Sequence, residues 1–252
     1  MLKVIFMAKE TPSSLSALEY LCLHQKEVNV LGAVLRSKDL ELQKICRENE
    51  IDILTERQLE NNFGSGKQDV DYIISFYWKK AGKDILAIPK KGSINFHPGP
   101  LPEARGSGYH MAILENWGYW GVTAHYMDEE YDTGAIIECR RFDLESDIVN
   151  QDLVRMAHTH LFELFQDIMD GLFCGEAPKG INQEGGRYFS LKGLEDGKLI
   201  REGESVAEID RKIRAYWNPP YTGAQVEIQG KRYTVINEGI LDWIAGKLFG
   251  GL

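Results

Sequence analysis

Ser93-Ile94-Asn95-Phe96-His97-Pro98-Gly99-Pro100-Leu101-Pro102 is the stretch whose reading decides the fold. In an extended chain Asn95 and His97 share one side, and Ile94 and Phe96 take the other. The prolines and glycine that follow His97 cannot continue a strand. The chain therefore leaves its sheet just past the imidazole. An amide and an imidazole are placed at the C-terminal edge of a strand, where open α/β sheets hold their ligands.

Upstream, Lys3 to Ala8, Asn29 to Leu35, Ile51 to Leu54 and Asp71 to Phe76 are short apolar runs of the kind that form buried parallel strands. Between them Leu15, Leu18 and Leu21, and then Leu42, Ile45 and Cys46, return at helical spacing. This alternation predicts an α/β fold, a Rossmann-like domain with a mostly parallel sheet. No G-x-G-x-x-G follows the first strand, so a dinucleotide site is not supported. Gly64-Ser65-Gly66 reads as a surface loop. Downstream, Gly121 to Met127 and Ala135 to Cys139 have strand character and flank the acidic turn Asp128 to Gly134. A long helix with Leu153, Ala157, Leu161, Leu164, Ile168 and Leu172 on one face should cover the sheet. His158 and His160, two apart on that helix, diverge by about 200° and cannot share a metal.

Gly175 to Gly186 is rich in glycine and reads as a linker. We expect residues 1–186 to form the catalytic domain and 187–252 a small C-terminal subdomain containing β-structure. In the latter, Ser205-x-x-Glu208 is a capping box that starts a short helix. Residues 215–224 are an irregular aromatic and proline segment. Gln229-Gly230 turns a hairpin between Val226 to Ile228 and Arg232 to Ile236. Leu241, Ile244, Leu248 and Phe249 give the tail an amphipathic stripe suited to packing or a subunit contact.

The 252 residues are 43% hydrophobic and 27% charged, ordinary for a globular chain with a real core. The net charge of −9 weighs against nucleic acid as a partner. Cys22, Cys46, Cys139 and Cys174 form no C-x-x-C pair, which argues against zinc ribbons and disulfides. The first three have apolar neighbours and read as buried thiols. A strand begins within two residues of Met1, and no apolar run would span a bilayer. The expectation is a cytoplasmic protein without a signal peptide or membrane partner.

The order Asn95-x-His97, Pro100-Leu101-Pro102, Arg105-Gly106, then Asp132-Thr133-Gly134 resembles the folate-dependent formyltransferases. In build it is similar to those acting on nucleotide sugars, and it also resembles methionyl-tRNA formyltransferase. The resemblance runs from Met1 to about Ile236. It departs at Gly99-Pro100, where many relatives carry serine and leucine, which should reshape the loop and not the chemistry. The resemblance implies Asn95, His97 and Asp132 as catalytic, with 10-formyltetrahydrofolate as formyl donor and no metal. The donor would lie along Phe76, Tyr77, Trp78 and Lys79, and along Asp128, Glu129, Glu130 and Tyr131. The aromatic residues of the first group would serve a core equally well.

Formyl transfer needs an oxyanion stabilised and an amine proton accepted. An amide N–H and an imidazolium suit the first task, and Asp132 could orient the ring and relay the proton through water. For the acceptor, Arg105 and Gly106 are candidates for a phosphate, and Tyr216, Trp217 and Tyr221 for stacking on a base. Trp217 is equally suited to anchoring the subdomain. The acidic charge and the single hairpin favour a UDP- or dTDP-linked 4-amino-4,6-dideoxyhexose over tRNA as acceptor. The aromatic C-terminal segment is compatible with a homodimer. Two rival classes remain: a metal-dependent hydrolase using His97, His125 and Asp132, and a non-catalytic nucleotide-binding module.

Overall fold

Short apolar strands and amphipathic helices alternate along the chain in the computed structural model, which describes residues 1–64, 67–77 and 79–249. Ser65, Gly66 and Trp78, read above as loop and donor-site residues, lie outside the described residues. In order the elements are β1 (Leu2–Ala8), α1 (Pro12–Leu23), β2 (Val28–Val34), α2 (Leu40–Glu48), β3 (Ile53–Leu54), α3 (Glu56–Phe63) and β4 (Tyr72–Phe76). Next come α4 (Lys83–Leu86), β5 (Gly92–His97), β6 (Ala104–Gly106), α5 (Tyr109–Leu114), β7 (Tyr119–Tyr126), β8 (Ile136–Asp143) and α6 (Asn150–Phe173). The chain ends with β9 (Arg187–Phe189), α7 (Leu191–Gly197), α8 (Val206–Tyr216), β10 (Gln225–Ile228), β11 (Lys231–Thr234) and α9 (Glu238–Phe249).

Two units divide the chain. The first holds Met1–Arg105, Gly121–Arg141 and Ala157–Arg187. The second holds Gly106–Trp120, Phe142–Met156 and Tyr188–Leu252, so it draws in two segments that the sequence reading placed in the N-terminal domain. The central sheet has the order β3-β2-β1-β4-β5-β7-β8. Strands β1 to β5 pair in parallel, and β7 runs antiparallel against β5.

In the first unit, helix starts follow local chemistry. Thr11 caps α1 through a capping box with Ser14, and Pro12 occupies the first turn, where its missing N–H costs nothing. Thr55 does the same for α3 with Gln58. The face of β5 opposite Asn95 and His97 carries Phe96, whose ring lies 5.1 Å from Phe76 and 5.2 Å from Phe165 of α6. Leu161, Leu164, Phe165 and Met169 are the buried face of α6 here, whereas Ile168 is only half-buried. The Phe76 side chain belongs to this core, 5% exposed, the alternative that the sequence left open for it. Of the thiols, Cys46 is buried, Cys22 and Cys139 are half-buried, Cys174 is exposed, and all are free.

The supposed linker 175–186 is tied down. The Tyr126 hydroxyl donates to the Pro178 carbonyl at 2.7 Å, and Ile136 and Ile181 exchange both backbone hydrogen bonds at 2.8 Å each. A glycine-rich composition signalled flexibility, but here it permits close approach: a Cβ on Gly186 would lie 1.9 Å from the Pro102 carbonyl oxygen.

In the second unit, α8 opens with the expected Ser205–Glu208 capping box, and Gln229 and Gly230 take the left-handed conformations of a tight hairpin. Val149, Ile213, Ala224 and Ile240 form its core, with Trp217, Trp243 and Ile244 packed against them. Trp243 Nε1 and Lys247 Nζ both donate to Asp152, at 2.5 and 2.8 Å, which fixes α9. Its outward positions Leu241 and Leu248 are exposed, so the tail's stripe is only partly used for packing. Among the described residues, no helix is long and apolar enough to cross a membrane.

Phe165→Ala should cost about 3–5 kcal/mol of stability, the usual loss for a buried ring. Urea unfolding followed by the fluorescence of the sheet unit checks this, and a loss below about 1 kcal/mol would contradict the packing described.

Candidate active site

Strand register sets the first half of the site. Ser75 on β4 stands beside Asn95 on β5, and Asn95 stands opposite His125 on β7. A single row of polar side chains thus crosses three adjacent strands, all of them buried. Its polarity is fixed from one end. His125 Nδ1 lies 2.7 Å from the Tyr126 carbonyl, which can only accept, so Nδ1 carries a proton. Burial pushes the His125 pKa down to about 4, against the opposing pull of Asp132, so the ring is neutral and Nε2 is an acceptor. The group 3.2 Å away must then be the NH₂ of Asn95. The amide oxygen faces Ser75, whose hydroxyl donates to it at 2.8 Å. One N–H of Asn95 is thereby left for the cleft that the residue lines.

His97 is held from the strand's end. Its Nε2 donates to the Ala104 carbonyl at 2.8 Å, beyond the proline-rich loop. Gly99 makes this contact possible, since a Cβ there would sit 2.7 Å from Nε2 and 3.0 Å from the Ala104 oxygen. The Gly99-Pro100 departure therefore has a physical role next to the imidazole. Thr123, opposite His97, ties the same loop down: its hydroxyl donates to the Gly99 carbonyl at 2.8 Å and accepts from Leu101 N at 3.0 Å. With Nε2 occupied, Nδ1 is the nitrogen available for chemistry. It faces Asp132 Oδ2 at 3.6 Å, while Asp132 Oδ1 lies 3.7 Å from His125 Nε2. Both separations are longer than a hydrogen bond.

The acidic turn is stapled by Asp128, which accepts from the Thr133 hydroxyl at 2.7 Å and from Glu130 N at 3.0 Å. Asp132 itself adopts φ of 54°, a left-handed conformation that aspartate tolerates better than most residues. Gly134 is obligatory, because a Cβ would fall 1.9 Å from the Tyr126 carbonyl oxygen.

A small cleft is lined by Tyr77, Lys79, Lys80, Ala81, Asn95, His125, Met127, Asp128, Glu130, Tyr131 and Asp132. Asn95 and Asp132 line it; His97 does not, and its Nδ1 lies 3.6 Å from Asp132 Oδ2. Of the other residues singled out in the sequence, Tyr77, Lys79, Asp128, Glu130 and Tyr131 line this cleft; Glu129 does not, and pairs with Lys83 at 3.3 Å. Arg105 does not stand clear of the protein: Nε and a terminal nitrogen donate to Gln183 Oε1 at 3.3 and 3.0 Å. In the second unit, Tyr216 is 4% exposed with its ring 5.4 Å from that of His110, which corrects its reading as a base-stacking residue. Trp217 packs against the core of that unit, Tyr221 is 72% exposed, and Gly106 at φ of 77° approaches the Phe189 carbonyl too closely for any side chain.

Sequence reasoning missed Ser75 and the orienting role of His125. The available signal for Ser75 was a lone hydroxyl in the otherwise apolar Tyr72-Ile73-Ile74-Ser75-Phe76. Among the described residues, no group of His, Cys, Asp or Glu could hold a metal ion.

The deduction that orients Asn95 rests on a neutral His125. Ring nitrogen NMR should show Nδ1 protonated and Nε2 bare from pH 8 down to about 5, with protonation centred near pH 4. A cationic His125 at pH 7 would reverse the assigned amide orientation. The linkage has a sign: the unfolded imidazole takes its proton near pH 6.5 and the folded one near 4, so His125 subtracts stability as pH falls through that window.

Residues 2–160 match the family model described as Formyl transferase. The GDP-perosamine N-formyltransferase of Brucella melitensis biotype 1 is 32% identical over 170 residues, covering 66% of this chain and 64% of that protein. The methionyl-tRNA formyltransferase of Acidiphilium cryptum is 30% identical over 165 residues, covering 65% and 53%. The chain thus spans less than two thirds of the length of these curated relatives. Among solved structures, a 4-N formyltransferase from Francisella tularensis superposes with a TM-score of 0.78 at 21% identity, covering 94% of this chain and 97% of that one. An N-formyltransferase from Helicobacter canadensis, solved with folinic acid and dTDP-3-aminofucose, gives 0.74 at 21%, covering 91% and 85%. These structures share the fold, and the family match over more than half the length establishes that the chain belongs to the formyl transferase family.

Proposed function

We propose that the protein transfers a formyl group from 10-formyltetrahydrofolate to the amine of a nucleotide-linked amino sugar of the 4-amino-4,6-dideoxyhexose type. The observation that carries this reading is the oriented Asn95 N–H and the His97 Nδ1 beside Asp132, at a cleft that Asn95 and Asp132 line. Lys79 and Lys80 at the wall of the cleft, paired with Glu56 and Glu130, are cations that suit the donor's anionic end. Tyr77, Lys79, Glu130 and Tyr131 would hold the donor, which supplies a carbonyl carbon open to attack by an amine.

The acceptor nitrogen would bond to the formyl carbon and the bond from that carbon to N10 of the donor would break; Asn95 donates one N–H to the carbonyl oxygen as it gains negative charge, and His97 Nδ1 faces the same centre as a second donor. Donors fixed in advance are effective here because they need no reorganisation in the transition state. Asp132, 3.6 Å from His97 Nδ1, accepts the proton that the amine loses, directly or through a water, and that proton goes to N10 of the departing tetrahydrofolate. For the acceptor, Arg105 retains N–H groups beyond those given to Gln183 and is our candidate for the diphosphate.

The choice of acceptor rests on charge. Identity to the sugar and tRNA enzymes is similar, at 32% and 30%. A net charge of −9 disfavours a polyanion whose binding depends on neutralising many phosphates. A nucleotide sugar requires only a diphosphate grip and one small pocket.

The test supplies the donor with a panel of GDP-, UDP- and dTDP-linked amino sugars, and separately with charged initiator tRNA, reading formyl gain by mass. Sugar formylation is the expected result; formylated methionyl-tRNA with every sugar unmodified would overturn the acceptor. In the active pair, His97→Asn and Asp132→Asn should each lower kcat by at least about 10²-fold, the scale of a positioned acid or base. Near-normal turnover in either would remove that residue from the chemistry.

A further inference from the structure

We infer that Gln183 is a positioning residue for Asp132, and that Arg105 braces it. Gln183 lies beyond the matched family region, in the strap after α6. Its Nε2 donates to two carbonyls of the acidic turn, that of Asp132 at 3.0 Å and that of Gly134 at 2.6 Å. Its Oε1 accepts from Arg105 Nε at 3.3 Å and from a terminal guanidinium nitrogen at 3.0 Å.

The two ends of the amide are chemically distinct, so its orientation is forced. A guanidinium only donates and a carbonyl only accepts; the oxygen must face Arg105 and the NH₂ must face the turn. The strap that carries Gln183 is itself fixed, through the reciprocal Ile136 and Ile181 hydrogen bonds of 2.8 Å. What it holds needs holding. Asp132 sits at φ of 54°, an uncommon conformation even though aspartate tolerates it better than most residues, and the two hydrogen bonds help to maintain it. Pinning the carbonyls of residues 132 and 134 sets the direction in which the Asp132 carboxylate leaves the backbone, towards His97 and His125. This gives Arg105 a role in the site besides the diphosphate contact proposed above.

The inference rests on the assignment of Asp132 to the reaction, so Asp132→Asn is measured alongside and must itself lower kcat by about 10²-fold. If it does not, the proposed chemistry fails whatever Gln183 does. The decisive variants are Gln183→Glu and Gln183→Ala. Glutamate has the same shape and keeps the Arg105 partner, but it presents an acceptor to two carbonyls. If Gln183 merely filled space, glutamate would be tolerated. Positioning predicts that both variants lower kcat by about 10- to 100-fold, with each KM changed by less than about threefold, as expected for a misplaced reacting group. In the protein without ligands, hydrogen exchange should accelerate across residues 128–135 in both variants while the rest of the sheet keeps wild-type protection. Arg105→Ala should accelerate exchange in the same segment, whereas a contact with acceptor phosphate alone would leave exchange unchanged. Wild-type exchange in 128–135 together with kcat within about twofold of wild type in Gln183→Glu would overturn the inference.

Discussion

The hydrogen bond between a neutral imidazole and an amide governs the site. Because the Tyr126 carbonyl claims the Nδ1 proton and burial keeps the ring uncharged, His125 can only accept at Nε2. That single constraint propagates along the row: it turns the Asn95 NH₂ towards His125 and the oxygen towards Ser75. Reverse it and the amide would present an oxygen where the proposed chemistry calls for a donor. Orientation here comes from strand register, which side-chain alternation and the apolar Phe76–Phe96–Phe165 face make hard to slip by one residue.

The second half of the site depends on where the chain stops being a strand. Proline ends β5 at His97, the loop folds back, and the Ala104 carbonyl takes the Nε2 proton. Gly99 provides room and Thr123 ties the loop to β7. Nδ1 is then the nitrogen that faces Asp132. Two histidines in one site thus use opposite nitrogens, each selected by a backbone carbonyl.

Asn95, His97 and Asp132 were legible because each is punctuated in the sequence: alternation and proline for the first two, an acidic turn ending in glycine for the third. The parallel sheet was legible from its apolar runs. Ser75 was not, since its partner lies on another strand and register between strands is a tertiary property. Gln183 was hidden for a similar reason, in a glycine-rich stretch whose composition suggests a linker but whose backbone is paired to β8. Aromatic residues were the least legible. Phe76 and Tyr216 are buried and Tyr221 is exposed, and nothing in their local sequence distinguishes a core ring from a ligand-facing one.

The account stands or falls on whether the cross-strand row orients the Asn95 amide. Ser75→Ala tests this: it removes the hydroxyl that donates to the Asn95 oxygen and accepts from Tyr77 N at 3.1 Å, and it leaves the side chains of Asn95, His97 and Asp132 unchanged. The single-turnover rate of formyl transfer at saturating donor and acceptor should fall by about tenfold or more, as the freed amide samples the wrong orientation. A rate within about twofold of wild type, in a variant whose His125 still holds its proton on Nδ1, would contradict it.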